Sequence, residues 1–195
     1  MTNMLIQARG FDAGRRRAVL SASAVALLVG LDTLAARTAK AASSNPKKDA
    51  GILNTALGLE QEAIAVYQVG AESGLISAGT LKIAVAFQSQ HKEHAAALEA
   101  TIRKLGGVAV APKGKDEYAK VVTAAGPKNE ADVLRLAARL EKGAANAYLG
   151  VIPSFADPML AQVSARLAAD EVMHFTALET ALGIALPGGA LSFGG

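Results

Sequence analysis

Cysteine and tryptophan are absent from the 195 residues, and aromatic side chains make up only 4% of them. Without cysteine there is no disulfide framework, no thiolate zinc site and no cysteine-bound iron–sulfur cluster. So few aromatic residues argue against a β-sandwich, whose strands draw on aromatic and β-branched side chains. Alanine dominates instead, the strongest helix former and small enough to let helices pack closely. A hydrophobic share of 51% supplies a real core for one domain. A charge surplus of one sign is also missing from most of the chain. The formal net charge is +3, but six Lys/Arg and only two acidic residues precede Ala42. The remainder carries 14 basic against 15 acidic residues, a net −1, so the basic balance belongs to the N-terminal segment. No basic patch is left to serve nucleic acid, which is excluded as a partner.

That segment reads as a signal peptide. Arg15-Arg16-Arg17 is followed by an apolar run from Ala18 through Val29, closed by Asp32, and Ala39-Lys40-Ala41 supplies a small-x-small cleavage site. The run is about a dozen residues, short of the roughly 20 that span a bilayer. Arg16-Arg17-Ala18-Val19-Leu20 resembles the twin-arginine export pattern, a route that carries proteins already folded. Residues 1–41 are therefore set aside. The mature chain is expected in the periplasm, with no membrane attachment after cleavage.

Behind a polar linker at 42–48, periodicity and end signals predict four long helices between residues 49 and 183, then a Gly/Pro-rich tail at 184–195. The first runs from near Asp49 to Ser73. The second starts behind Ser77 and stops at Gly106-Gly107. The third follows Asn129, with Glu130 in its first turn, and the fourth opens at Asp157-Pro158 and closes at Gly183. The first and last pairs have short connections and should form antiparallel hairpins. About twenty residues join the second helix to the third, with a short helix around Glu117–Ala124. One long crossover of this kind sets a second hairpin beside the first.

Each apolar stripe is interrupted by ionisable residues. Glu60 breaks the stripe of Leu53, Leu57, Ile64 and Tyr67; Glu141 breaks that of Leu134, Ala138, Ala145 and Tyr148. His91 and His94 interrupt the second helix, Glu171 and His174 the fourth. The halves repeat: Glu60 precedes Tyr67 by seven residues, as Glu141 precedes Tyr148, and His91-x-x-His94 answers Glu171-x-x-His174. Seven residues is nearly two turns, so each Glu shares a face with its Tyr, and residues three apart share one side of a turn. Unpaired buried carboxylates cost several kcal/mol each, and no Lys or Arg lies on these stripes. A metal cluster would supply the missing positive charge.

These residues resemble the ligand pattern of the ferritin-like superfamily, the carboxylate-bridged di-iron four-helix bundles that include bacterioferritins and rubrerythrins. The resemblance covers about Asp49 to Gly183 and implies an all-α, antiparallel four-helix bundle with one long crossover. It assigns Glu60 and Glu141 to the family's single glutamates, Glu171 with His174 to one complete Glu-x-x-His pair, and His94 to the second histidine. His91 stands where the family has a carboxylate; Glu93, about 200° around the helix, cannot replace it. Tyr67 and Tyr148 take positions beside the ligands. The resemblance implies two iron ions reacting with oxygen or peroxide, while manganese and zinc also suit such ligands. Metal sequestration and a metal-free structural or stress-related bundle of the cell envelope are the alternatives. The partners expected are metal ions, small oxidants and, by default, a second copy of the chain along the first hairpin. A lipid site between the helices is disfavoured, and no substrate pocket beyond the centre is legible.

Overall fold

The computed structural model describes residues 45–189, so the signal-peptide and twin-arginine readings lie outside the described residues. The elements are α1 (Pro46–Glu72), α2 (Ala78–Lys104), α3 (Lys115–Ala125), α4 (Glu130–Val151), a one-turn 3-10 helix (Ile152–Ser154) and α5 (Pro158–Ala181). There is no strand among the described residues. α1 packs along α2 and α4 along α5, each pair a hairpin closed by a short connection, and α3 lies against α1.

The helix starts follow from their capping residues. The Ser77 hydroxyl accepts from Thr80 N at 3.3 Å, Asn129 Oδ1 from Asp132 N at 3.0 Å, and Asp157 Oδ1 from Met159 N at 2.8 Å. α1 begins earlier than expected, because Asn45 Oδ1 accepts from Lys48 N at 3.1 Å and Pro46 fits the first helical position. Part of the expected linker is therefore helix. At the end of α2, Gly106 takes a φ of +77°, and Gly107 N bonds back to Ile102 O at 2.9 Å. The crossover then runs along α1. Asn54 accepts from Val110 N at 2.7 Å and donates to Val108 O at 2.9 Å, and Gln61 donates to Val110 O at 3.0 Å. These bonds hold a connection that would otherwise be long and unsupported.

Asp49, one turn inside α1, is 1% exposed and accepts from Ala156 N at 2.9 Å and Asp157 N at 3.1 Å. It ties the start of α1 to the turn entering α5. Asp49→Ala leaves both amides without a partner and should cost about 2 kcal/mol. Chemical denaturation should show a lower midpoint at an unchanged slope.

Two apolar clusters fill the bundle. One joins Leu53, Leu57, Leu98, Ile102, Leu160 and Leu167; the other joins Leu134, Ala138 and Leu178, with Phe87 against it. On α2, α4 and α5 the buried ionisable residues fall between these clusters, and Glu60 of α1 joins them, so a polar layer crosses the core.

Candidate metal centre

All six predicted residues converge in that layer. Glu60, His91, Glu141, Glu171 and His174 are at most 2% exposed and His94 is 6% exposed. Their placement follows from the helical repeat: α1 and α4 each aim one glutamate inward, α2 and α5 each a pair three residues apart. Potential ligand atoms fall into two groups, each within 4.8 Å: Glu60, His91, His94 and Glu171; and His91, Glu141, Glu171 and His174. His91 and Glu171 are common to both.

Each shared residue offers a different atom to each half. Glu171 Oε1 lies 3.3 Å from His94 Nδ1, and Glu171 Oε2 lies 3.2 Å from His174 Nδ1. His91 Nδ1 donates to Glu60 Oε2 at 2.8 Å, and its Nε2 lies 3.2 Å from Glu141 Oε1. An imidazole thus spans the layer where the superfamily has a carboxylate. Glu93 is exposed, as its helical position requires.

The tyrosines pair across the bundle. Tyr67 of α1 donates to Glu141 Oε1 of α4, and Tyr148 of α4 donates to Glu60 Oε1 of α1. Burial, followed by the facing carboxylates, raises both phenols well above 10.0, so they stay protonated donors. Tyr148→Phe removes one of the bonds that orient Glu60. We expect a 10- to 100-fold loss of metal affinity, on the scale of other outer partners of metal ligands, with retained helicity, measured by competition against a chelator.

Two further partners went unnoticed in the sequence. His94 Nε2 lies 3.3 Å from Asp170 Oδ2, and His174 Nε2 is 2.5 Å from Gln90 Oε1. Asp170 immediately precedes Glu171 and Gln90 immediately precedes His91, so each orients the other hairpin's last histidine. The internal repeat held this signal: both occupy the same position relative to their pair.

Electrostatically, the three histidines face the three carboxylates. Burial opposes the charge on Glu60, but hydrogen bonds and charges from His91 and His94 outweigh it and leave the carboxyl at about 2. Glu141, under the same opposition, is held well below the usual carboxylate range by His174 and His91. Against burial, Glu141 and Glu60 raise His91 to about 10, while Asp170, Glu171 and Glu60 raise His94 to about 12. His174 is raised as well, by Glu141 and Glu171 against burial. Glu171 goes the other way: burial raises it, and its histidines do not offset the cost. Protonated imidazoles can therefore balance much of the layer's charge in the absence of Lys and Arg. They do not satisfy every atom. His94 Nδ1, Glu141 Oε2 and Glu171 Oε1 are buried without a hydrogen-bond partner. All three belong to the two ligand groups, and their N,O chemistry suits a first-row divalent metal.

The ferritin-like domain family model matches residues 48–184. The chain belongs to the ferritin-like domain family. The match takes in all four long helices except the first two residues of α1, and therefore the whole polar layer. The ferritin-like domain also resembles the crystal structure of a conserved hypothetical protein, rv2844, from Mycobacterium tuberculosis. The TM-score is 0.58 at 19% identity, covering 74% of this chain and 97% of that one. At that identity the likeness concerns the fold. No curated protein matches the sequence at a significant level. Among the described residues no helix is long and apolar enough to cross a membrane.

Proposed function

We propose that this ferritin-like domain holds a two-metal centre, with iron as its working metal and oxygen or peroxide as its reactant, in the periplasm. The observation that carries the reading is a set of buried ligand atoms that make no hydrogen bond, His94 Nδ1, Glu141 Oε2 and Glu171 Oε1, within two overlapping groups that share His91 and Glu171. Glu60, His94 and Glu171 would hold one ion, and Glu141, His174 and Glu171 the other, with His91 common to both groups. Bound there, iron supplies the electrons that reduce an oxidant. The protein's own part is to fix ligand orientation through Tyr67, Tyr148, Asp170 and Gln90, and to keep bulk water away with the two apolar clusters. The periplasmic assignment is supported by the leader pattern of residues 15–41.

The histidine–carboxylate pairs also favour a second reading, a metal-free bundle whose polar layer balances its own charge. Elemental analysis separates the two, using the chain matured by export and the Glu171→Ala/His174→Ala double variant. We expect close to two metal ions per chain in the native protein, none in the variant, and a new absorption band when the iron form meets oxygen or peroxide. A folded native protein that takes up no metal under anaerobic iron loading would leave the metal-free reading standing. Metal without any oxidant-dependent spectral change would reduce the function to sequestration.

A further inference from the structure

Between α1 and α4 the bundle is not closed. A cavity of about 300 Å³ opens along this seam, walled almost entirely by apolar atoms. Small residues line it, Ala63 and Gly70 on α1 and Gly143, Ala144 and Ala147 on α4, and on α4 the nearest side chain to Gly70 is Val133. Val66, Leu134 and Leu136, all buried, form deeper walls. The inner end is polar and belongs to the layer described above, for Tyr67 and Glu141 both line the cavity. Glu141 is 2% exposed, and its Oε2 has no hydrogen-bond partner.

We propose that this cavity is a binding pocket for an uncharged, predominantly apolar molecule, whose inner end lies against the Glu141 side of the centre. The volume matches the lower range of small-ligand pockets, which are mostly apolar with a few placed polar groups. Its chemistry selects the class of ligand. Glu62 and Arg139 are the other charged residues on the walls, one of each sign, so they favour neither anion nor cation. At the inner end, a carboxylate ligand would bring its charge against Glu141 and lose its water without a compensating donor. A neutral chain loses nothing comparable and gains burial in proportion to its apolar area. The pocket rests on the metal reading only for what its inner end faces.

Binding of n-decanol and decanoate to the metal-free protein, followed by calorimetry, tests the pocket by itself. Decanol should bind saturably, one molecule per chain, and decanoate roughly tenfold more weakly or worse. Ala144→Phe and, separately, Ala147→Leu project into the cavity from partly exposed positions outside the polar layer. Both should abolish decanol binding at unchanged helicity. Failure of decanol to bind overturns the pocket. So does wild-type affinity in both filled variants, or self-association through this seam that blocks decanol. In the cobalt(II)-loaded protein, bound decanol should shift the visible spectrum. A spectrum indifferent to saturating decanol overturns the placement against the centre. Failure of cobalt to bind counts against the metal reading and leaves the decanol result to decide the pocket.

Discussion

Glu171→Gln is expected to empty both halves of the centre and to leave the metal-free bundle as stable as before. Glu171 is fully buried and is the one carboxylate whose two oxygens face different halves, one toward His94 and one toward His174. Glutamine keeps the shape and one acceptor, so the contact with His174 Nδ1 survives, but the anionic oxygens needed by two cations are gone. We expect more than about 100-fold weaker metal binding, beyond the range seen for outer partners of metal ligands. Unfolding free energy without metal should stay within about 1 kcal/mol, because the lost charge is one that burial already disfavours. Glu60→Gln is the comparison, since Glu60 belongs to one ligand group only and its loss should remove about half the metal. Elemental analysis beside urea denaturation reads both effects. Equal metal content in Glu171→Gln and native protein would show that Glu171 does not join the two halves.

Metal loading at pH 7 is expected to expel at least two protons per chain. His91 at about 10 and His94 at about 12 are protonated in the metal-free protein at that pH, and an imidazole must be neutral to ligate. Each proton displaced makes affinity rise roughly tenfold per pH unit, so uptake should be far weaker at pH 6 than at pH 8. Calorimetry in buffers of different ionisation enthalpy counts the protons. Uptake without proton release would show that His91 and His94 are not ligands.

The same groups set the acid and alkaline limits of the metal-free fold. Both histidines lie above their ordinary value of 6.5, so their stabilisation is complete below about 6.5 and disappears as pH rises through about 10 and then about 12. Glu60 lies below its ordinary 4.5, so its stabilisation is present above 4.5 and is lost as pH falls through about 2. A urea midpoint that is flat between about pH 4.5 and 6.5 and falls on either side is the expected profile.

Much of the architecture was legible from local chemistry. Ser77, Asn129 and Asp157-Pro158 mark helix starts because capping needs only a side-chain oxygen within three residues of the amide it accepts from. The interruption of four apolar stripes by Glu60, His91, His94, Glu141, Glu171 and His174 follows from the helical period, which fixes the face each residue occupies. The start of α1 was misplaced because Asn45 and Pro46 look like linker until their cap is seen, and Asp49 then takes a role across the bundle.

What the sequence by itself determined, then, is which residues point inward and at what height along their own helices. Only the tertiary structure decided which of them meet. Periodicity carries no information about a neighbouring helix, so it could not show that Tyr67 serves Glu141 and Tyr148 serves Glu60. Nor could it show that Asp170 and Gln90 back the histidines of the opposite hairpin. The two-sided placement of His91 and Glu171, and the open seam between α1 and α4, depend on the spacing and rotation of packed helices. Those are settled by side-chain volumes on both sides of each interface, where a shift of one methyl group closes a cavity or breaks a hydrogen bond.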